Sequence, residues 1–204
     1  MKALSFFITI ALFAVFCGWS EAQVLPQGNV FLKSLQKEKS RTDQYEFKHR
    51  VQLIVLAKLE GRQQLVRIKN DNFPDNTDII YTVVKDSTGR IVAVEQVPYS
   101  ESGDWYEEFK HYFDAKGNTF AFTIKTTVFD DSVKGGVAMW QSFNYYTSAL
   151  NLLNHTITLT DSKEKPIKGR KSTEFDFRHD PYHIYKSVDD CLKACQIDRS
   201  TLKY

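Results

Sequence analysis

Two turn motifs of the same build, each set between runs of alternating residues, constrain the fold more than any other feature. Lys85-Asp86-Ser87-Thr88-Gly89-Arg90-Ile91 and Phe113-Asp114-Ala115-Lys116-Gly117-Asn118-Thr119 share strand, Asp-x-x-Gly, one polar residue, strand. Aspartate accepts hydrogen bonds from turn amides two and three residues on, and glycine takes the positive φ that a three-to-five-residue hairpin loop requires. Asp161-Ser162-Lys163-Glu164-Lys165 reads as a third copy that has lost its glycine. Three hairpins in one chain predict an antiparallel meander. The aspartates lie 28 and then 47 residues apart, whereas a solenoid repeats at a fixed period.

Residue alternation fills in the elements. Leu25 to Arg41 predicts an amphipathic helix, with Val30, Phe31 and Leu35 apolar and Lys33, Lys37 and Lys39 outside. Tyr45 to Leu59 reads as one long strand that Glu60-Gly61 turns back into Gln63 to Lys69. Further strands are predicted at Ile79–Lys85, Arg90–Val97, Asp104–Phe113, Thr119–Phe129, 138–146 and His155–Thr160. Val137 to Leu153 also carries a helical stripe (Met139, Phe143, Tyr146, Leu150), but aromatic density and Gly135-Gly136 favour a strand for 138–146. Asp180-Pro181 resembles an N-cap and first helical residue, followed by Ile184, Val188, Cys191, Leu192 and Cys195 at helical spacing. The expected class is α+β: mainly an antiparallel β-meander, one large sheet or a partial barrel, with an N-terminal and a C-terminal helix. Trp105, Phe109 and Phe113 alternate with Tyr106, Glu108, Lys110 and Tyr112, and Phe120, Phe122, Ile124 and Val128 with Lys125 and Thr127. One packed and one wet face is the expectation.

The first residues give an address. Lys2, the apolar run Ala3 to Cys17, and Ser20-Glu21-Ala22 have the order of a secretory signal peptide, residues 1–22, with cleavage after Ala22. Bulky Phe16 before Cys17 argues against a lipoprotein signal. Residues 23–204 are then expected to form a single β-rich globular domain, secreted or periplasmic. A net charge of +2 argues for no nucleic-acid partner. After residue 22 the longest apolar stretch, Leu53 to Ala57, is far below the ~20 residues a spanning helix needs.

Candidate chemistry is sparse. Cys191 and Cys195 have neither thioredoxin nor haem spacing; on a helix they are either packing thiols or a disulfide that distorts the helix end. Asn70, Asp71, Asn72, Asp75, Asn76 and Asp78 offer calcium-type oxygens but no calcium-loop spacing, and such residues also suit turns. His179 and His183, with Asp176 and Asp180, share a helix face only if both are helical, which Pro181 opposes. No metal site and no cofactor is therefore expected. There is no nucleophile elbow, and the adjacent acids Glu107-Glu108, Asp130-Asp131 and Asp189-Asp190 diverge on a strand.

Binding features remain. Lys163, Lys165, Lys168, Arg170 and Lys171 could grip a polyanion or protect a strand edge. Asn154-His155-Thr156 is a glycosylation sequon. Tyr106, Tyr112, Trp140, Tyr145 and Tyr146 lie in predicted strands, and rings left on a wet face offer large contact area with few rotatable bonds. The expected function is a non-enzymatic binding or interaction module using an aromatic sheet face, its partner a protein or glycan of the cell envelope. The alternative is a small secreted hydrolase whose Asp, Glu or His acid–base groups come from distant positions.

Overall fold

The described residues begin with a long helix, α1 (Pro26–Lys48), followed by a 3-10 turn at Arg50–Gln52. Among the described residues eight strands follow: β1 (Ile54–Leu59), β2 (Val66–Ile68), β3 (Thr77–Lys85), β4 (Ile91–Pro98), β5 (Trp105–Phe113), β6 (Thr119–Phe129), β7 (Val137–Tyr146) and β8 (Leu152–Asp161). A short helix, α2 (Val188–Ala194), and a 3-10 turn at Arg199–Leu202 end it. The structure, a computed structural model, describes residues 26–70, 72–100, 103, 105–168 and 182–203. The segment expected to be a signal peptide lies outside them, as do Arg170, Lys171, Asp176, His179, Asp180 and Pro181.

All eight strands form one antiparallel sheet in the order β2-β1-β3-β4-β5-β6-β7-β8. The expected class is therefore the observed one, with a large open sheet. Its hairpins are built on aspartate. The Asp86 carboxylate accepts from the N–H groups of Thr88 and Arg90 at 2.9 and 3.1 Å, and Asp114 from those of Lys116 and Asn118 at 2.8 and 2.9 Å. Asp161 accepts from Lys163 and Lys165 at 2.8 and 2.9 Å, so the third turn is a true copy. The amides bound are two and four residues on, rather than two and three. Gly89 and Gly117 sit at φ +83° and +80°, and Glu164 occupies the equivalent place at φ 58°.

Both faces of the sheet are covered, which corrects the expectation of one wet face. On one side Ile54, Leu56, Tyr81, Val83, Val94 and Phe113 pack against Cys191, Leu192, Cys195, Ile197 and Leu202 of the C-terminal segment. Phe109, Phe122, Ile124, Trp140 and Tyr146 continue this layer beneath Tyr182 and Ile184. On the other side Leu32, Leu35 and Tyr45 of α1 pack on Val84, Ala93, Tyr112, Ala121 and Tyr145.

Both helices differ from their expected bounds. α1 runs on through Tyr45–Lys48, which alternation had given to a strand. α2 is capped by Ser187, whose side chain accepts from the Asp190 N–H at 3.2 Å and donates to the Asp190 carboxylate at 2.7 Å. This reciprocal cap sets the helix start. Described residues ahead of it are held outside the helix: Thr119 donates to the Tyr185 carbonyl at 2.6 Å, and the Thr119 N–H to that of Lys186 at 2.9 Å.

The turns give a graded test. Gly89→Val meets no neighbour and should lose about 1–2 kcal/mol from its left-handed backbone alone. Gly117→Val should lose more, since a Cβ there lies 3.0 Å from Val188 Cγ1. Glu164→Gly should gain about 1 kcal/mol by relieving the same strain. Urea midpoints in any other order would show that the three turns are not equivalent.

Candidate functional site

The strand register aligns Ile68, Val55, Thr82, Glu95, Lys110, Thr123, Phe143 and Thr156 in one row across the α1 side of the sheet. The neighbouring row, which contains Val84, Ala93, Tyr112, Ala121 and Tyr145, lies beneath the apolar part of α1. The first row changes character along its length: apolar at β2 and β1, polar from β3 to β6, aromatic at β7. The inward stripe of α1 changes in step, from Leu32 and Leu35 to Lys39, Asp43 and Glu46. Where these polar stretches meet, a cleft of about 1260 Å³ opens between helix and sheet.

Lys110 is the centre of that cleft. Its ammonium, 7 % exposed, is paired with Glu46 of α1 and, at 3.2 Å, with Glu95 of β4. Burial by itself would lower the Lys110 pKa, but Glu95 and Glu46 outweigh it and raise the value, so the ammonium stays charged. Glu95 is pushed up to about 7, chiefly by burial and then by Glu108, with Lys110 pulling the other way. Glu108 accepts a 2.8 Å hydrogen bond from the Tyr106 hydroxyl, and the Lys125 ammonium lies 5.5 Å from the Tyr106 ring centroid. Burial and the Glu108 carboxylate raise the Tyr106 pKa. Deeper in, Tyr112 donates to Asp43 at 2.8 Å, and Asp43 pairs with Lys39 at the same distance. The mouth is formed by Phe47 and Val51, 69 and 98 % exposed, beside Arg50 and Lys69.

The five rings expected to share a binding face are divided between two. Tyr106, Tyr112 and Tyr145 belong to the α1 side, and Trp140 and Tyr146 to the opposite layer. Tyr112, Trp140, Tyr145 and Tyr146 are buried, while Tyr106 is half-buried beside the cleft. Lys163, Lys165 and Lys168 are exposed on and after the β8 hairpin; their expected partners Arg170 and Lys171 lie outside the described residues. Cys191 and Cys195 are free, buried thiols on one side of α2, and hydrogen bonding to Cys195 together with burial raises the Cys191 pKa. Among the described residues, no group of His, Cys, Asp and Glu could hold a metal ion. His111 is buried beneath Tyr185, whose N–H donates to its Nε2 at 3.2 Å, and burial holds its pKa down to about 3.

Sequence reasoning missed Glu46, Glu95, Glu108 and Lys110 as a cluster. No family model, curated protein or solved structure matches the chain. The chemistry available in the cleft is that of hydrogen-bond donors and acceptors of both signs, held in place before any ligand arrives, with aromatic surface at either end.

The Glu95 shift has a definite pH signature. The unfolded chain releases this proton near 4.5, whereas the folded chain keeps it to about 7. Between those values the unfolded state binds fewer protons, so the Glu95 contribution to stability falls as pH rises. Glu95→Gln should therefore gain stability relative to the parent from pH 4.5 to 7. Parallel curves of urea stability against pH for the two proteins would contradict the shift.

Proposed function

We propose that the protein is a secreted, non-enzymatic binding module that takes a glycan of the cell envelope or extracellular space into the cleft between α1 and the sheet. The observation that carries this reading is the polar row Thr82, Glu95, Lys110 and Thr123 in the middle of the sheet, lining a cavity beside the charged end of the helix. Structure alone does not favour such a cluster, because well-packed apolar residues replace buried ion pairs at little or no loss of stability. Hydroxyl-rich ligands need donors and acceptors together. Thr82, Thr123, Gln141 and Lys125 supply them along one wall, with Phe143 and Phe47 offering ring surface beside them. The sequence of residues 1–22 supports export. No helix among the described residues is long and apolar enough to cross a membrane.

A hydrolase is the second reading, and Glu95 favours it: a carboxylic acid that titrates near 7 in a cleft suits general acid–base work. Against it, Glu95 and Glu46 both hold the Lys110 ammonium, and Glu108 accepts from Tyr106.

The full chain should retain a glycan in an array screen, and calorimetry with that glycan should then show Thr123→Val and Lys125→Met each binding about tenfold more weakly. That loss corresponds to one net hydrogen bond of about 1.4 kcal/mol. Folded variants that bind as well as the parent would overturn the cleft as the site. Turnover of the retained glycan, abolished by Glu95→Gln, would instead establish the hydrolase.

A further inference from the structure

The two edges of the sheet are protected very differently. β2, at one end, has only three residues, and Arg67 lies in it with Lys69 next in sequence. Short, charged edges resist pairing with other strands. β8, at the other end, is ten residues long, and its Leu152–Thr160 portion contains no lysine, arginine, aspartate, glutamate, proline or glycine. It is rich in threonine and β-branched or aliphatic residues, a composition that suits a strand. Leu152 and Leu153 are 57 and 41 % exposed, and His155 and Thr156 are exposed as well.

One hydrogen bond fixes which backbone groups of β8 point outward. The Leu159 carbonyl accepts from the Ile167 N–H at 3.1 Å, on the side away from β7, next to a bridge between Thr160 and Pro166. Successive residues of a strand alternate sides, so the N–H and C=O groups of Ile157 and His155 also point outward. The returning chain covers the Leu159 end. Among the described residues, no backbone bond reaches the outward groups of His155 and Ile157.

We propose that two copies of the chain pair β8 against β8, antiparallel, about a two-fold axis through the His155 pair. This register sets the outward-facing His155 against its own copy, and it ends near Leu153, which the register shift leaves unpaired between Leu152 and Asn154. A strand paired with itself about a two-fold axis is self-complementary by construction, and here no charge on the strand opposes it. The contact joins two eight-stranded sheets into one. It involves few residues, so the dimer is of the weak, concentration-dependent kind. The Asn154-His155-Thr156 sequon falls in the middle of this edge, where a glycan would block the approach of a second strand.

The test is sedimentation velocity on the full chain made without glycosylation, from a few to several hundred micromolar. A monomer–dimer equilibrium is expected. Leu153→Lys and Thr156→Lys, both at exposed positions, should each weaken it at least tenfold while circular dichroism and the urea midpoint stay unchanged. The register makes a second demand that does not depend on those variants. Asn154 and Thr156 face each other across the axis as a close, non-hydrogen-bonded pair, so the Asn154→Cys/Thr156→Cys double variant should form a covalent dimer on mild oxidation. A chain that stays monomeric throughout the range, or a dimer indifferent to both lysine variants, overturns the proposal. Failure of the cysteine pair to cross-link overturns the register.

Discussion

The Lys110 ammonium between Glu46 and Glu95 is the contact on which the shape of the α1 side depends. Its two partners come from α1 and β4 and Lys110 itself from β5, so one buried cation joins the end of the helix to the middle of the sheet. The apolar half of α1, with Leu32 and Leu35, is seated on the Val84, Ala93 and Tyr112 row by ordinary packing. Beyond Lys39 the helix adds only Tyr45 to that packing. Its position there is set by charge and hydrogen bonds: Glu46 to Lys110, and Asp43 to Tyr112 and Lys39. The cleft is the space left where close packing gives way to these longer polar contacts.

Energetics separate holding the helix from stabilising the fold. Removing one member of a buried ion pair leaves a charge without a partner and costs about 3–5 kcal/mol. Replacing the whole group by apolar residues is often neutral or favourable. The opposite side of the sheet shows the cheaper solution, since Phe109, Phe122, Ile124 and Trp140 pack there against Tyr182 and Ile184. The same chain thus builds one side of its sheet as a core and leaves the other with charges facing a cavity. The proposed role in ligand capture would give this difference a physical reason that stability does not.

What the sequence revealed follows from the range of the interactions involved. β6 has the predicted bounds, and β4, β5, β7 and the aspartate turns lie close to theirs, because alternation and Asp-x-x-Gly are local. Tyr45–Lys48 was assigned to a strand on β-prone composition, yet it is helical, with Glu46 anchored to a lysine 64 residues away. Likewise residues 182–186 stay out of the helix, bound to Thr119 and His111, contacts that spacing along the chain does not encode. The cleft was hidden for a related reason, its residues being drawn from α1 and most of the strands. One signal was readable: the inward stripe of α1 keeps its helical spacing from Leu32 through Glu46 while changing from leucine to charge, and Glu95, Glu108 and Lys110 alternate on strands central to the sheet. A buried stripe that turns charged partway along marks the place where packing ends.

The most direct measurement compares stability and binding in one protein, the Glu46→Leu/Glu95→Leu/Lys110→Met triple variant. If the cluster exists to bind a ligand, the urea midpoint should hold or rise while glycan retention in the cleft is lost. A variant that unfolds at much lower urea, or one that keeps its fold and still retains the glycan, would contradict the assignment of these three residues to a binding site.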